Sequence, residues 1–285
     1  MNQFDIVTGE KVQILCDLYF GYPQDFHNPF IRNDISKHFN LYDLVESIDN
    51  PKYIFCYAHR IKELSSKIHL FSNQFVLVTG NSDENITNCR EVHNILSCPC
   101  LIRWFAQNVG ILHEKLKLVP IGFANSMWKH GDISLFKDAS FLLLLQDNPK
   151  TKRIYFQFNI NTNVTKRKIL YEQLTPMLDW LEYIVPIENV KRLREYQFCI
   201  CPEGNGYDTH RLWEALYLKV VPIVIKSPFT TVLQSYDLPM VVLEKWDDLD
   251  ETVLDYNNYS FDNMNYLNTT MFDRLKRQIY NSSDT

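Results

Sequence analysis

The chain has 285 residues, enough for one large domain or two modest ones. Hydrophobic residues make up 46% and charged residues 22%, which excludes an extended disordered chain. Lys and Arg total 29 against 34 Asp and Glu, a formal net charge of -5, so the chain is no general nucleic-acid binder and must hold any anionic ligand at a local site.

In chain order, the first residues, Met1 to Asp5, carry neither a basic nor an apolar segment of the kind that directs secretion. The longest apolar runs, 141–145 and 220–225, are far short of the roughly 18–20 residues that cross a bilayer. The expectation is a cytoplasmic protein with no membrane span. Short apolar runs at 12–15, 52–57 and 75–78 predict strands, and the amphipathic stretches 60–68 and 85–96 predict helices between them. Residues 117–121 read as a late strand of this half, and 141–145 as buried strand or helix. The polar, proline-bearing stretch 146–152 marks a boundary. Beyond it the alternation restarts, with strands at 154–158, 196–201, 221–225 and 240–243 and helices at 166–174 and 209–218. Residues 265–280 have helical periodicity with basic residues late, which suits the helix dipole. The reading is therefore α/β in two halves, 1–150 and 151–285, with the last helix free to pack back on the first half.

The seven cysteines, at 16, 56, 89, 98, 100, 199 and 201, lack the spacing of zinc ligands and read as reduced, mostly structural thiols. Neither a metal nor a cofactor is expected. Asp248-Leu249-Asp250 has an Asp-x-Asp form but follows no phosphate loop, and its acidic residues suit a helix start.

Only 8 glycines occur, and two of them fall in Cys201-Pro202-Glu203-Gly204-Asn205-Gly206, where the backbone must turn sharply or approach a ligand closely. A strand leads into this loop and a helix leaves it, with Asp208 or Thr209 placed to cap that helix. Such a junction presents backbone donors and a positive dipole end to phosphate. Arg211 adds a fixed fork suited to a diphosphate, and Glu214 projects from the same side, placed to accept from ribose hydroxyls. A plain i, i+3 ion pair between the two, with no ligand, fits the same residues.

From Cys199 to Ile225 the chain resembles the carboxyl-terminal signature of exostosin-like glycosyltransferases. Pro202, Gly204-Asn205-Gly206, Asp208, His210-Arg211, Trp213-Glu214-Ala215-Leu216 and Val221-Pro222-Ile223-Val224 carry the likeness. Lys219 stands where the family commonly has glycine. Weaker likeness runs through Phe75 to Asp83, Trp104 to Asn108, Val119 to Asn125, and Tyr155 to Asn159 followed by Arg167. Within the family the likeness extends to xylosyltransferases encoded by large algal viruses.

The resemblance implies a GT-B fold, two Rossmann-like domains facing across a cleft, with the first binding the acceptor and the second the nucleotide. It implies an inverting, metal-independent transfer of a sugar, xylose among the candidates, from a UDP-sugar donor to an oligosaccharide or glycan acceptor. Gly204, Asn205, Gly206, Asp208, His210, Arg211, Glu214, Asn159 and Arg167 would line the donor site, with Arg211 also stabilising the departing diphosphate. The catalytic base would be Asp83, after the strand at 75–78, with Asp17 and His59 as rivals and His130 as a loop residue within reach. Asp83 reads equally as a helix cap. A non-catalytic nucleotide- or glycan-binding module and a retaining GT-B transferase are the competing functions.

Overall fold

The computed structural model describes residues 6–22, 25, 38–39, 43, 52–146 and 149–262. They divide into two compact units, 7–121 and 122–262, with residue 6 belonging to the second. Residues 122–146, read from the sequence as part of the first half, thus fall in the second unit. The helical stretch at 265–280 lies outside the described residues.

The first unit is a six-stranded parallel sheet in the order β2-β1-β3-β4-β5-β6. Its strands are β1 (Leu18–Phe20), β2 (His38–Phe39), β3 (Lys52–Tyr57), β4 (Phe75–Gly80), β5 (Leu101–Ala106) and β6 (Leu116–Leu118). β4 is buried along its whole length and β3 from its second residue onward, as expected where a parallel sheet is covered on both faces. Tyr53, Phe55, Tyr57, Val76, Val78 and Phe105 form one core cluster. Trp104, fully buried, satisfies its indole N–H on the Thr79 hydroxyl at 2.9 Å.

Three helices flank this sheet among the described residues: α1 (Gly9–Ile14), α2 (Ile61–Lys67) and α3 (Arg90–Leu96). The strand expected at 12–15 is instead α1. Thr8 caps it by accepting from the Lys11 N–H at 3.3 Å, and Glu10 stands in its first turn. The helix expected from 85 begins only at Arg90. Ile86 is held extended, bridging Val109 and exchanging bonds with Asn108 and Gly110.

The second unit carries a four-stranded parallel sheet in the order β10-β9-β8-β7. The strands are β7 (Lys152–Tyr155), β8 (Tyr196–Ile200), β9 (Val221–Ile225) and β10 (Val241–Leu243). Helices α4 (Ala139–Gln146), α5 (Val164–Leu174), α6 (Pro186–Leu193), α7 (His210–Tyr217) and α8 (Pro228–Gln234) accompany them. The apolar run at 141–145 resolves as helix, with Phe141 and Leu145 buried while Leu143 and Leu144 are exposed. Leu170 and Leu174 of α5 pack into a core with Phe156, Phe158, Phe198 and Ile223, and Trp180 meets Phe156 and Tyr171 edge-on at 5.0 and 4.8 Å. α8 starts with Pro228 behind a reciprocal cap between Ser227 and Thr230. The chain is therefore mixed α/β with two parallel sheets.

Candidate functional site

The glycine loop, residues 201–209, joins the carboxyl end of β8 to the first turn of α7. In parallel α/β sheets this is the edge where ligands bind, because loop backbone and helix amino ends meet there. The Gly204 N–H bonds to the Gly206 carbonyl at 3.2 Å, which closes the turn. Asn163, the N-cap of α5, accepts from the Lys166 N–H at 3.3 Å and donates its amide to the Gly204 carbonyl at 2.8 Å. Lys166 pairs with Glu203 at 2.6 Å.

Arg167 binds the loop from beneath. It is 7% exposed, and its donors go to the carbonyls of Glu203 (2.9 Å), Asn159 (2.8 Å) and Pro202 (3.2 Å). Among the described residues no carboxylate bonds to it. Burial, and then repulsion from Arg211, lower its pKa to about 10. The side chain of Asn159 accepts from the Asn161 N–H at 3.0 Å and starts a short turn.

Arg211 and Glu214 form an ion pair, Nε to Oε2 at 3.0 Å, with the two side chains only 17% and 11% exposed. The i, i+3 pair is thus present, though largely buried. Nη1 donates to the Gln157 carbonyl and Nη2 to Gln157 Oε1 at 3.4 Å, while the guanidinium lies 5.3 Å from the Tyr155 ring centre. These bonds use three of its five N–H groups, and the other two have no partner among the described residues. Burial works against the charge, but Glu214 outweighs it and holds the pKa above the ordinary arginine value. Gln157, 4% exposed, is a site residue that sequence reasoning missed, since a lone Gln after a strand carries no signal.

Thr209, not Asp208, is the N-cap of α7, and its side chain makes no capping bond. Asp208 is buried and accepts from the Trp213 indole N–H at 2.5 Å, so it anchors the loop to the helix. Asn205 is exposed at the tip of the turn. His210 bonds through Nδ1 to the Gly122 carbonyl at 2.8 Å, and the exposed His130 ring stands edge-on to it at 6.1 Å. A cavity of about 450 Å³ opens beside the loop, within the range of small-molecule sites. Lys166, Glu203, Tyr207, Thr209, Lys226 and Trp246 are among its walls; Arg211 and Glu214 are not.

Asp248 and Asp250 each serve a local turn. Asp248 accepts from the Lys245 N–H at 3.2 Å, and Asp250 from the N–H and hydroxyl of Thr252 at 2.9 and 2.7 Å. Among the described residues no group of three or more His, Cys, Asp or Glu side chains is placed to hold a metal, and no helix is long and apolar enough to cross a membrane. Five of the seven cysteines are buried, and all are free thiols.

In the first unit the three candidate bases occupy different places. Asp83 is exposed in the turn after β4; the N-cap of α3 is Cys89, so Asp83 does not cap that helix. Asp17 precedes β1 and accepts from the Tyr53 N–H at 2.8 Å, at the amino ends of β1 and β3. That is the edge opposite the one where parallel sheets bind ligands. His59 follows β3 directly, with Nε2 bonded to Asp25 Oδ1 at 3.0 Å. Asp25 is 6% exposed and is also held by Arg60 through two bonds of 3.0 Å and by the Tyr22 N–H at 2.9 Å. Burial pushes its pKa up, but these donors prevail and bring it below the usual carboxylate value. Tyr22 donates its hydroxyl to Glu63 at 2.5 Å, and Arg60 lies over its ring at 4.7 Å. Asp25 carries no motif in the sequence and emerges only from the fold. Compared with models of known protein families and with curated proteins, the chain matches none.

Proposed function

We propose that the chain is an inverting glycosyltransferase that moves a sugar from a UDP-sugar to a hydroxyl of an oligosaccharide or glycan, without a metal. The proposal includes a GT-B arrangement, two Rossmann-like domains with the nucleotide bound by the second. The observation that carries it is Arg167: a buried guanidinium held by carbonyls alone, directly beneath a glycine loop that leads into a helix amino end. That combination favours an anionic ligand, because it joins unpaired positive charge to loop and helix N–H dipoles. Arg211 supplies two further N–H groups and remains charged.

On this reading the diphosphate lies against Gly204 to Gly206 and the start of α7. Arg211 stabilises the charge that develops as the bond to the sugar breaks. The resemblance to exostosin-like enzymes, carried by Trp213-Glu214-Ala215-Leu216 and the preceding loop, makes a sugar nucleotide the expected ligand. Glu214 is already bonded to Arg211, so it meets a ribose through its remaining acceptor positions. An acceptor hydroxyl needs a base, and the first unit offers Asp83 after β4 and His59 after β3.

The test is a thermal-shift series in a metal chelator, followed by UDP release from a panel of UDP-sugars. UDP at a hundredfold excess over Kd should stabilise the protein by about 2.7 kcal/mol. Arg211→Lys, which keeps the charge and loses the fork, should lose most of that shift. Absence of any UDP shift in the wild type refutes the donor site. A UDP shift without turnover of any UDP-sugar, with glycan acceptors supplied, indicates a binding module instead.

A further inference from the structure

Beside the start of α7 stands a surface turn, residues 122–131, that belongs to the same compact unit. His210, the first residue of α7, fastens one end of it through Nδ1 to the Gly122 carbonyl at 2.8 Å; a carbonyl only accepts, so that nitrogen is the donor. Gly122 has φ 64°, a backbone that suits glycine. Further along, the Trp128 N–H bonds to the Asn125 carbonyl at 3.0 Å and the Gly131 N–H to the Trp128 carbonyl at 2.8 Å. A Cβ on Gly131 would stand 2.0 Å from the Asn125 carbonyl oxygen, so the turn closes this tightly only around glycine. Two of the chain's eight glycines therefore serve this turn.

The turn holds up an aromatic pair. The Trp128 ring is stacked on His130, with 6.3 Å between centres and 19° between planes, and His130 stands edge-on to His210 at 6.1 Å. Trp128 is 54% exposed, and His130 is exposed as well. The indole N–H of Trp128 and both ring nitrogens of His130 have no partner among the described residues. A sugar ring has a face of C–H groups, which packs on an aromatic face, and an edge of hydroxyls, which both donate and accept. Trp128 offers the aromatic face, and the nitrogens of Trp128 and His130 offer polar partners in the ring planes. The position fits the same ligand. On the transferase reading the diphosphate lies at Gly204 to Gly206 and the start of α7, and the group attached beyond the diphosphate is the sugar. His210 opens that helix, and the next ring along from it is His130, followed by Trp128.

We infer that the sugar of the donor lies on this turn, its C–H face against Trp128 and its hydroxyls bonded to His130. This rests on the transferase reading above, and it adds the subsite that separates a UDP-sugar from UDP. Trp128 and His130 determine specificity for the sugar and take no part in the bond changes. The whole subsite lies within the unit that holds the glycine loop.

The experiment is titration calorimetry of UDP, UDP-xylose, UDP-glucose and UDP-galactose, in a metal chelator, into the wild type, Trp128→Ala, Trp128→Phe and His130→Ala. The Kd of UDP should stay within about twofold throughout, as expected of a site that the changed side chains do not touch. Trp128→Ala should raise the Kd of the best-bound UDP-sugar by roughly tenfold or more, because an aromatic face is lost from the contact. Trp128→Phe, which keeps a ring, should recover most of that loss. His130→Ala should raise the same Kd by roughly threefold to tenfold, the worth of its hydrogen bonds. A turn that only shapes the protein would move the Kd of UDP and of UDP-sugar together. An unchanged Kd for the UDP-sugar in Trp128→Ala, or an equal change for UDP, overturns the subsite and leaves the nucleotide site standing. Binding of UDP with none of the three UDP-sugars overturns the subsite too. A wild type that does not bind UDP overturns the transferase reading, and this assignment with it.

Discussion

Gly204 shows how one residue separates structural need from function. Its backbone is not in the left-handed region, and a Cβ built there would meet Thr162, Arg167 and Thr209 at 3.5, 3.6 and 3.6 Å, ordinary contact distances. Nothing in the protein itself therefore requires glycine. What the missing side chain does is keep open the space next to the Arg167 Nη2. Gly204→Ala should accordingly fold normally and gain roughly 0.4–1 kcal/mol from a less flexible unfolded chain. The same methyl should weaken UDP by tenfold or more, since a close-packed ligand gives up contact or shifts. Melting temperature with and without UDP reads both effects on one protein, and an unchanged UDP shift would move the ligand off the loop. The Gly-Asn-Gly motif is visible in the sequence, and Arg167 stands there as a donor-site candidate on a helix that could equally carry it as a surface charge. Only the three carbonyls converging on it reveal that it is buried and committed.

At the level of elements, α7 carries the clearest sequence signal and also a residue that strains it. The helix ends at Tyr217 with Leu218 as its C-cap, and the next residue, Lys219, has φ 54°. Glycine is the usual occupant of that position because an L side chain in the left-handed region crowds the following carbonyl. The departure at Lys219, noted from the resemblance, therefore falls on backbone of the glycine type. Lys219→Gly should stabilise the chain by about 1 kcal/mol, against which the added flexibility of glycine in the unfolded chain has to be set. A rise in the midpoint of urea unfolding with an unchanged slope checks it. Other elements were less legible. Residues 12–15 are short and apolar, and only the Thr8 cap upstream decides for helix; periodicity cannot separate the two over one turn. The run at 12–15, read as a strand, would put Asp17 at a strand's carboxyl end; its bond from the Tyr53 N–H instead places it at the amino ends of β1 and β3, opposite the edge where parallel sheets bind ligands.

On the scale of the whole molecule, alternating apolar runs sufficed to indicate two α/β halves, because parallel strands buried on both faces read as continuous hydrophobic stretches. β5 escaped that reading, since Arg103 interrupts Leu101–Ala106; its guanidinium leaves the strand to bond to the Glu114 carbonyl at 2.8 Å. Strand order is not encoded in any local pattern, so the pairing of β1 with β3, and with it the contact between Asp25 and His59 beyond their ends, was beyond reach. The two sheets also carry separate core clusters, one around Phe55 and Val78 and one around Phe156 and Phe198. A ligand stabilises only those openings that destroy its site. UDP bound at the glycine loop should therefore slow amide hydrogen exchange in β7, β8, β9 and residues 201–211. At a hundredfold excess over Kd, amides that exchange only when the site opens should slow by about a hundredfold. Strands β3, β4 and β5 should exchange at their unliganded rates. Equal slowing in both sheets would show that the two units open together or that both hold the nucleotide, and slowing confined to β3–β5 would assign the nucleotide to the first unit and remove Arg211 from its site.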